Sequence, residues 1–282
     1  MAGGEQLKSL VEQMPDPDPR GMYTENIDKE RIEKAVVEIA REGQESVLGL
    51  IKMLGEPGST ENVKPHFALH CVVNYALIQG NEQLRKEICE VMAAQLLNEG
   101  LPTFQRVYLC QELQWAGRDE ACPALGEVLL NENLTDVAAT ALAAIGGERA
   151  ASQLRMAASN AKGKCRLNLI DALASFADPQ SAAIFQEALV DEDREVRIAA
   201  ALGLAKVGRA DGADLLFKVA DAAKGWERTQ ITKACLILAE KLAVNGNKSD
   251  AKQIYDRLQK TRTGSSEQHI RDAAQRGLAA IA

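Results

Sequence analysis

An internal repeat of about 31 residues limits the fold of this chain more than any other feature of its sequence. Leu142, Leu173 and Leu204 stand at the same place in the hexamers ALAAIG, ALASFA and GLAKVG, and they are 31 residues apart twice in succession. A second marker repeats independently, because AKGKCR at 161–166 and AKGWER at 223–228 lie 62 residues apart, which is two periods. A regular period of this length is typical of a solenoid, in which similar units stack along one direction.

Each period reads as two helices joined by a short turn. Between 178 and 207, apolar residues recur at spacings of three and four in two consecutive segments, as they do in helices with one buried face. Asp178 and Pro179 are suited to open the first helix. Asp193 is placed to cap the second helix, and Gly208 to end it in the left-handed conformation. A hairpin of about 30 residues cannot bury its apolar face alone, so neighbouring hairpins must stack.

The same reasoning predicts an all-α fold for the chain, a right-handed α-α superhelix of about seven helical hairpins. The predicted helices occupy 28–41, 43–55, 63–79, 81–98, 102–116, 119–130, 135–145, 148–159, 164–176, 179–190, 194–207, 211–221, 225–245, 248–262 and 266–281. The solenoid then takes up 28–282, and residues 1–27 form an extended lead broken by prolines. The last pair, 225–262, is irregular and similar to a tetratricopeptide hairpin, and the helix at 266–281 closes the chain.

Composition and charge exclude several classes of protein. No apolar run approaches the roughly 20 residues that a membrane-spanning helix needs. The net charge of −7 argues against a protein whose main task is to coat nucleic acid. The first residues contain no apolar signal core. A cytoplasmic location is therefore the default expectation, and an exported or periplasmic one is the alternative if a signal segment has been removed.

The residues that most often carry chemistry form no recognisable site. The six cysteines include no CxxC pair and stand among aliphatic residues, so we expect reduced, buried thiols. His66 and His70 are four residues apart, a spacing that can chelate a metal, but no third ligand follows at a telling distance. Glycine-rich phosphate loops are missing, and three histidines leave little material for a nucleophile with a histidine base. The sequence therefore predicts no catalytic residue, no metal ligand and no cofactor.

The segment LVDEDREVRIAAALGLAKVG at 189–208 resembles a HEAT repeat, of the HEAT-like kind also found in bilin-lyase proteins. The residues that carry the resemblance are Asp191, Asp193, Val196, Arg197, Ala199, Ala200 and the run from Leu204 to Gly208. Weaker repeats extend it over roughly 28–282. The resemblance implies an α-solenoid that presents an extended surface, and such arrays serve many functions.

An arginine recurs eleven residues before the terminal Gly or Ala of the repeats. Five of six repeats have it, at Arg106, Arg166, Arg197, Arg228 and Arg271, and Thr135 takes its place in the sixth. In one interpretation the arginines form a structural ladder, each binding an acidic side chain or turn carbonyls of the next repeat. The resemblance to HEAT-like arrays implies this ladder, with Asp191, Asp193 and Asp221 near the right turns. In the other, they form a basic stripe for a phosphate, an acidic peptide or a nucleic-acid backbone.

Trp115 and Trp226 also have two interpretations. Either ring could stack on a base or a sugar, as in DNA glycosylases built from helical repeats, but those enzymes also need a carboxylate over a basic groove. The acidic balance of the chain disfavours such a groove. We therefore expect both tryptophans in the core or in a cap.

The second helices of the hairpins are expected to line a concave surface. Helical phase places six polar residues there as a candidate groove for a partner, namely Asn168, Asp171, Ser175, Arg194, Glu195 and Lys206. The predicted function is a non-enzymatic scaffold that binds another protein. The alternatives are an enzyme or ligand-binding protein on the same scaffold, similar to a bilin lyase or a DNA glycosylase, and an interaction module cut from a larger exported enzyme.

Overall fold

The computed structural model describes residues 2–18, 27–59 and 63–282. Over these residues the chain consists of helices joined by turns, and no strand occurs among them. The all-α repeat fold predicted from the sequence period is therefore confirmed. By their contacts the residues form two compact units, Met1–Gln153 and Leu154–Ala282, called unit 1 and unit 2 below.

The helices follow one another with short connections. Those of unit 1 are α1 Ala2–Val11, α2 Lys29–Arg41, α3 Gln44–Met53, α4 Val63–Ile78, α5 Glu82–Leu96, α6 Thr103–Ala116, α7 Cys122–Glu127 and α8 Thr135–Ile145. The next helix, α9 Gly147–Ala158, spans the division between the units. Those of unit 2 are α10 Gly163–Phe176, α11 Ala182–Ala188, α12 Arg194–Val207, α13 Ala213–Ala222, α14 Gly225–Val244, α15 Lys248–Thr261 and α16 Gln268–Ile281.

Every predicted helix occurs, and most of them begin and end within two residues of the prediction. The largest difference is α7, which was expected at 119–130 and begins only at Cys122. Pro123 has no backbone N–H and therefore cannot make the hydrogen bond that a helix begun at 119 requires. Two other helices, α11 and α13, are shortened at their starts by a 3-10 turn.

Even-numbered helices pack side by side within each unit. In unit 1, α4 contacts α2 and α6, and α6 contacts α8; in unit 2, α12 contacts α10 and α14. The three leucines that mark the period, Leu142, Leu173 and Leu204, lie on α8, α10 and α12 and are fully buried. The sequence repeat is thus a repeat of core positions on successive even-numbered helices.

The hairpin between residues 178 and 208 has the helix caps that the sequence predicts. The side chain of Asp193 accepts a hydrogen bond from the Glu195 backbone N–H at 2.8 Å and so caps α12. Gly208 ends the same helix with φ of 75°, in the left-handed region. Asp178 caps the 3-10 turn at Pro179–Ser181 that precedes α11. The capping predictions for this hairpin are confirmed.

The N-terminal segment differs from its prediction. Residues 1–27 were expected to be extended, but α1 forms within them and buries the side chains of Leu7, Leu10 and Val11. α1 packs against α2 and α3, so it belongs to unit 1. The spacing of these three residues is that of a helix face, and the prolines that follow masked this signal. Residues 19–26 of the predicted lead lie outside the described residues.

The last hairpin, which was expected to be irregular, consists of α14 and α15. Its first helix, α14, is 20 residues long, and it packs against α12, α13, α15 and α16. Its last residue, Val244, is 83% exposed. In the part of the chain that the structure describes, no helix is both long enough and apolar enough to cross a membrane.

Candidate functional site

Three neighbouring helices of unit 1 contain very few charges. α4, α6 and α8 have four charged residues in total, Lys64, Arg106, Glu112 and Asp136, whereas α5 alone has five. Lys64 pairs with Glu12 at 3.0 Å, and the guanidinium of Arg106 donates to the Leu96 backbone oxygen at 2.8 Å. Two of the four charges are therefore already held by groups on other segments of unit 1.

A stripe of exposed and half-buried side chains runs along these helices, and we call it the α4–α8 surface. It consists of His70, Asn74 and Ile78 on α4, Gln111 and Trp115 on α6, and Thr140 and Ala144 on α8. On each helix the members are four residues apart, so they lie on one side of that helix. Depletion of charge together with exposed aromatic residues is typical of the centre of a protein–protein interface.

A buried carboxylate lies beneath the α4–α8 surface. Glu112 is 4% exposed, and Nδ1 of His70 donates to it, at 3.0 Å from Oε1 and 3.2 Å from Oε2. The hydrogen bond raises the pKa of His70 above its ordinary value of 6.5, because the carboxylate favours the protonated ring. A buried carboxylate needs a partner of this kind, since an unpaired charge in the interior is strongly destabilising. The pair therefore links α4 to α6 under the surface.

His66 lies one turn before His70 on α4 and has a different environment. Its ring centroid is 3.8 Å from that of Tyr108, whose hydroxyl donates to the His66 backbone oxygen at 2.9 Å. Burial lowers the pKa of His66 although Glu112 opposes the shift, so the ring is neutral at pH 7. Its Nε2 is buried and has no hydrogen-bond partner among the described residues. The two histidines do not share an acceptor, and no three His, Cys, Asp or Glu side chains among the described residues are grouped as metal ligands.

Trp115 lies on the surface, and the expectation of a core position is wrong for both tryptophans. Trp115 is 62% exposed and Trp226 is 61% exposed. The indole Nε1 of Trp115 donates to Oδ1 of Asn74 at 2.8 Å, and its ring lies 6.4 Å from that of His70. The large apolar area of the ring is therefore presented to solvent in an orientation that two side chains of α4 help to define.

A cavity of about 400 Å³ opens beside this surface, between α2 and α4. Its apolar lining consists of Ile32, Val36, Val37, Cys71, Tyr75 and Ile78. Burial raises the pKa of the Cys71 thiol to about 11, so this side chain is protonated and serves as an apolar lining group. Asn74 belongs both to the cavity lining and to the hydrogen bond with Trp115, so the cavity and the α4–α8 surface are continuous.

The six groove residues predicted from helical phase lie in unit 2, on α10 and α12, and they do not form one cluster. Arg194 and Glu195 are at the start of α12 and pair with each other at 2.7 Å, while Lys206 is near its end. A separation of twelve residues along a helix corresponds to about 18 Å. Asp171 and Ser175 are exposed on α10. Asn168 is half-buried, and its Nδ2 has no hydrogen-bond partner among the described residues. A groove role for these residues stays a prediction.

The recurring arginines contact backbone oxygens near the end of the preceding helix. Their acceptors are the oxygens of Leu96 for Arg106, Ala158 for Arg166, Asp191 and Glu192 for Arg197, Ala220 for Arg228, and Arg262 and Gly264 for Arg271. The last carbonyls of a helix have no partner within the helix, so a guanidinium satisfies them well.

Three of these arginines also reach a carboxylate further along the chain. Nε of Arg166 donates to Asp191 at 2.5 Å, Nε of Arg197 to Glu227 at 2.6 Å, and Nε of Arg228 to Glu267 at 2.9 Å. Of the acceptors that the sequence suggested, Asp191 accepts from Arg166, and Asp221 lies 3.7 Å from Arg228 and also accepts from Arg262 at 2.6 Å. Asp193 caps α12 instead. These contacts support the ladder interpretation. How much they contribute to the stability of the fold stays a prediction.

Sequence reasoning missed the residues that surround His70. Glu112, Asn74 and Tyr108 were not singled out, because nothing in their spacing distinguishes them from ordinary helix positions. The signal available in the sequence was the near absence of charge from 63–78 and 103–116. Glu227 and Glu267 were missed for another reason, since an ion pair between helices depends on how the helices are aligned.

Comparisons with known proteins agree with the repeat architecture. Residues 157–237 match the family model described as HEAT repeats. No curated protein matches the chain in sequence.

Three solved structures illustrate what the chain is similar to. A designed armadillo repeat protein is 16% identical, with 71% of this chain and 99% of that chain covered and a TM-score of 0.35. Human deoxyhypusine hydroxylase, in complex with glycerol, is 14% identical, with coverages of 85% and 98% and a TM-score of 0.37. The complex of CpcE and CpcF of phycocyanin lyase from Nostoc sp. PCC7120 is 16% identical, with coverages of 95% and 96% and a TM-score of 0.35. Likenesses at this level say nothing about activity.

Proposed function

We propose that this chain, whose residues 157–237 are HEAT repeats, is a non-enzymatic scaffold that binds another protein, and that the α4–α8 surface of unit 1 is its docking surface. The observation that carries the proposal is Trp115, which is 62% exposed on helices nearly free of charge and hydrogen-bonded to Asn74. Exposed tryptophans in such a setting are the residues that most often dominate binding energy.

The surface has the composition of an interface centre. Its exposed residues are aromatic, aliphatic or uncharged polar, apart from His70, whose ring is held by Glu112. Covering Trp115 and Ile78 removes apolar area from water without stripping a lysine or a free carboxylate of its hydration. Docking of an apolar partner surface is therefore favoured there.

The row of recurring arginines, Arg106, Arg166, Arg197, Arg228 and Arg271, is a weaker candidate for a ligand site. Arg166, Arg197 and Arg228 are engaged by carboxylates and by helix-end carbonyls of unit 2. A phosphate or an acidic peptide would have to displace those partners. We assign this row a structural role.

The test is photo-crosslinking in extract of the native organism, with a benzophenone amino acid in place of the exposed Gln111 of α6. We expect one or two proteins to be crosslinked reproducibly, because position 111 lies one turn from Trp115. In the Trp115→Ala variant the yield should fall at least about fivefold, as for an interface anchor.

Trp226→Ala is the matched control, since Trp226 is 61% exposed but lies on α14. Its crosslinking yield should equal that of the unchanged chain. A yield that falls equally in both variants, or in neither, contradicts docking at the α4–α8 surface. A small molecule that copurifies in place of a protein favours the ligand-binding alternative.

A further inference from the structure

We infer that the partner inserts an apolar anchor into the cavity between α2 and α4 and flanks this anchor with lysine or arginine residues. This inference rests on the proposed function and specifies the chemistry of the protein segment that docks. It follows from the lining of the cavity, from its continuity with Trp115, and from the charge of the unit around it.

The cavity selects an apolar group by its lining. Ile32, Val36 and Val37 form the α2 side, and Tyr75 and Ile78 lie on the α4 side. A volume of about 400 Å³ is enough for two aliphatic or aromatic side chains. Burying such side chains contributes about 1.5–3 kcal/mol each by the usual area relation.

A polypeptide fits this site better than a small apolar molecule. Ile78 is 80% exposed at the rim of the cavity, and Trp115 is 62% exposed on the next even-numbered helix. Packed helices are about 8–10 Å apart, so a molecule that only fills the cavity leaves Trp115 in water. A chain segment that runs from the cavity across Asn74 to Trp115 covers all three features.

The charge around the cavity selects basic flanks. Unit 1 contains 13 Lys and Arg against 24 Asp and Glu, a net charge of −11, while unit 2 contains 20 against 16, a net charge of +4. Among the residues that line the cavity, the charged one is Glu33. A neutral, apolar centre inside an acidic unit is complementary to a segment whose centre is apolar and whose ends are basic.

The experiment uses the full chain as bait for a phage-displayed library of random peptides about 12 residues long, which span roughly 40 Å when extended. Selected peptides should contain adjacent aliphatic or aromatic residues and an excess of Lys and Arg over Asp and Glu. Their binding, measured by fluorescence anisotropy with synthetic copies, should weaken as salt rises, because screening removes the contribution of the basic flanks.

Ile78→Lys should weaken binding of the selected peptides at least about tenfold, since it places a charge at the rim of the apolar cavity. Val244→Lys is the matched control, because Val244 is also the last residue of its helix and is 83% exposed, against 80% for Ile78. It should leave the affinity unchanged. Glu33→Gln should weaken only the part of the affinity that depends on salt.

Three outcomes overturn the inference. They are enrichment of acidic or uncharged peptides, failure to enrich any peptide, and equal binding to the Ile78→Lys and Val244→Lys variants. None of them contradicts the proposed function by itself, because the loss of crosslinking in Trp115→Ala tests docking without reference to the sequence of the partner. If that loss is absent as well, the function and the inference both fail.

Discussion

At the scale of single residues, the environment of His70 is the most distinctive feature of the chain. A buried carboxylate, a half-exposed imidazole and a neutral second imidazole lie within two turns of α4 and α6. Glu112 stabilises the protonated ring of His70, while burial disfavours the protonated ring of His66. The two histidines therefore make the stability of unit 1 depend on pH in opposite directions.

The sign of each effect follows from linkage. His70 has a higher pKa in the folded chain than the value of about 6.5 that it has in the unfolded chain. Its contribution to stability is therefore fully present below pH 6.5 and is lost as the pH rises through its pKa in the folded chain. His66 has a lower pKa in the folded chain than in the unfolded chain, so stability is lost as the pH falls from about 6.5 toward the pKa of His66 in the folded chain. We expect the free energy of unfolding of unit 1 to be highest near the ordinary pKa of histidine.

His70→Gln should remove the loss of stability on the alkaline side. The free energy of unfolding should change by at most about 1 kcal/mol, because the His70 side chain is 49% exposed and solvent screens its interaction with Glu112. The measurement is urea unfolding followed by Trp115 fluorescence, in a chain with Trp226→Phe, from about pH 5.5 to about pH 9.

The control for this series is His269→Gln, which changes an exposed histidine of α16 in unit 2. It should leave the pH dependence of the Trp115 transition as it is. If the stability of the His70→Gln variant still declines above pH 6.5 as in the unchanged chain, another group is responsible for that decline.

At the scale of helices, arginine links one repeat to the next. Arg197 on α12 donates to the backbone oxygens of Asp191 and Glu192 and, through Nε, to Glu227 on α14. The hydrogen bond lowers the pKa of Glu227 and raises that of Arg197, as expected when each ion stabilises the other. One planar side chain thus satisfies a helix end and fixes the position of the next even-numbered helix.

A double-mutant cycle on this pair tests the ladder. Arg197→Met and Glu227→Gln should each lower the free energy of unfolding by about 1–2 kcal/mol, because both side chains are partly buried and the hydrogen bond is between charged groups. The coupling between the two changes should be about 1 kcal/mol, measured by chemical denaturation of the single and double variants.

The neighbouring pair Arg194 and Glu195 serves as the control, since it is on the same helix but 57% and 45% exposed. Its coupling should be below about 0.5 kcal/mol. Equal couplings for the two pairs would show that position in the row gives Arg197 no special role.

At the scale of the whole molecule, close packing between neighbouring helices stabilises the stack. α12 approaches α11 so closely that a Cβ on Gly203 would lie 2.4 Å from the ring of Phe185, which is fully buried. The absence of a side chain at Gly203 makes this approach feasible. In repeat proteins such contacts act mainly between neighbouring elements, so their loss is felt locally.

Gly203→Ala should therefore destabilise unit 2 by about 1–3 kcal/mol through overpacking. Hydrogen–deuterium exchange should increase within 154–282 and stay unchanged within 1–153. Gly4→Ala is the control, because nothing lies within 4 Å of a Cβ at that helical position and alanine is the better helix former. An increase in exchange that extends through 1–153 would contradict a local effect of the substitution.

The sequence by itself determined the helices of this protein and their order. Helix formation depends on interactions within about four residues and on caps such as Asp193 and Gly208, and all of these can be read from neighbouring positions. The 31-residue period added the stacking of hairpins, because residues with the same environment recur at Leu142, Leu173 and Leu204. The α1 helix was missed because prolines dominate the segment that follows it.

Only the tertiary structure decided which side chains meet. His70 and Glu112 are 42 residues apart in sequence, and Asn74 and Trp115 are 41 apart. Their contacts depend on the axial alignment and rotation of α4 against α6, which no local pattern specifies. Exposure of Trp115 has the same origin, since a tryptophan at a helical position is buried or exposed according to what packs over it. The α4–α8 surface is therefore a property of the packing between helices, although every helix that forms it was evident in the sequence.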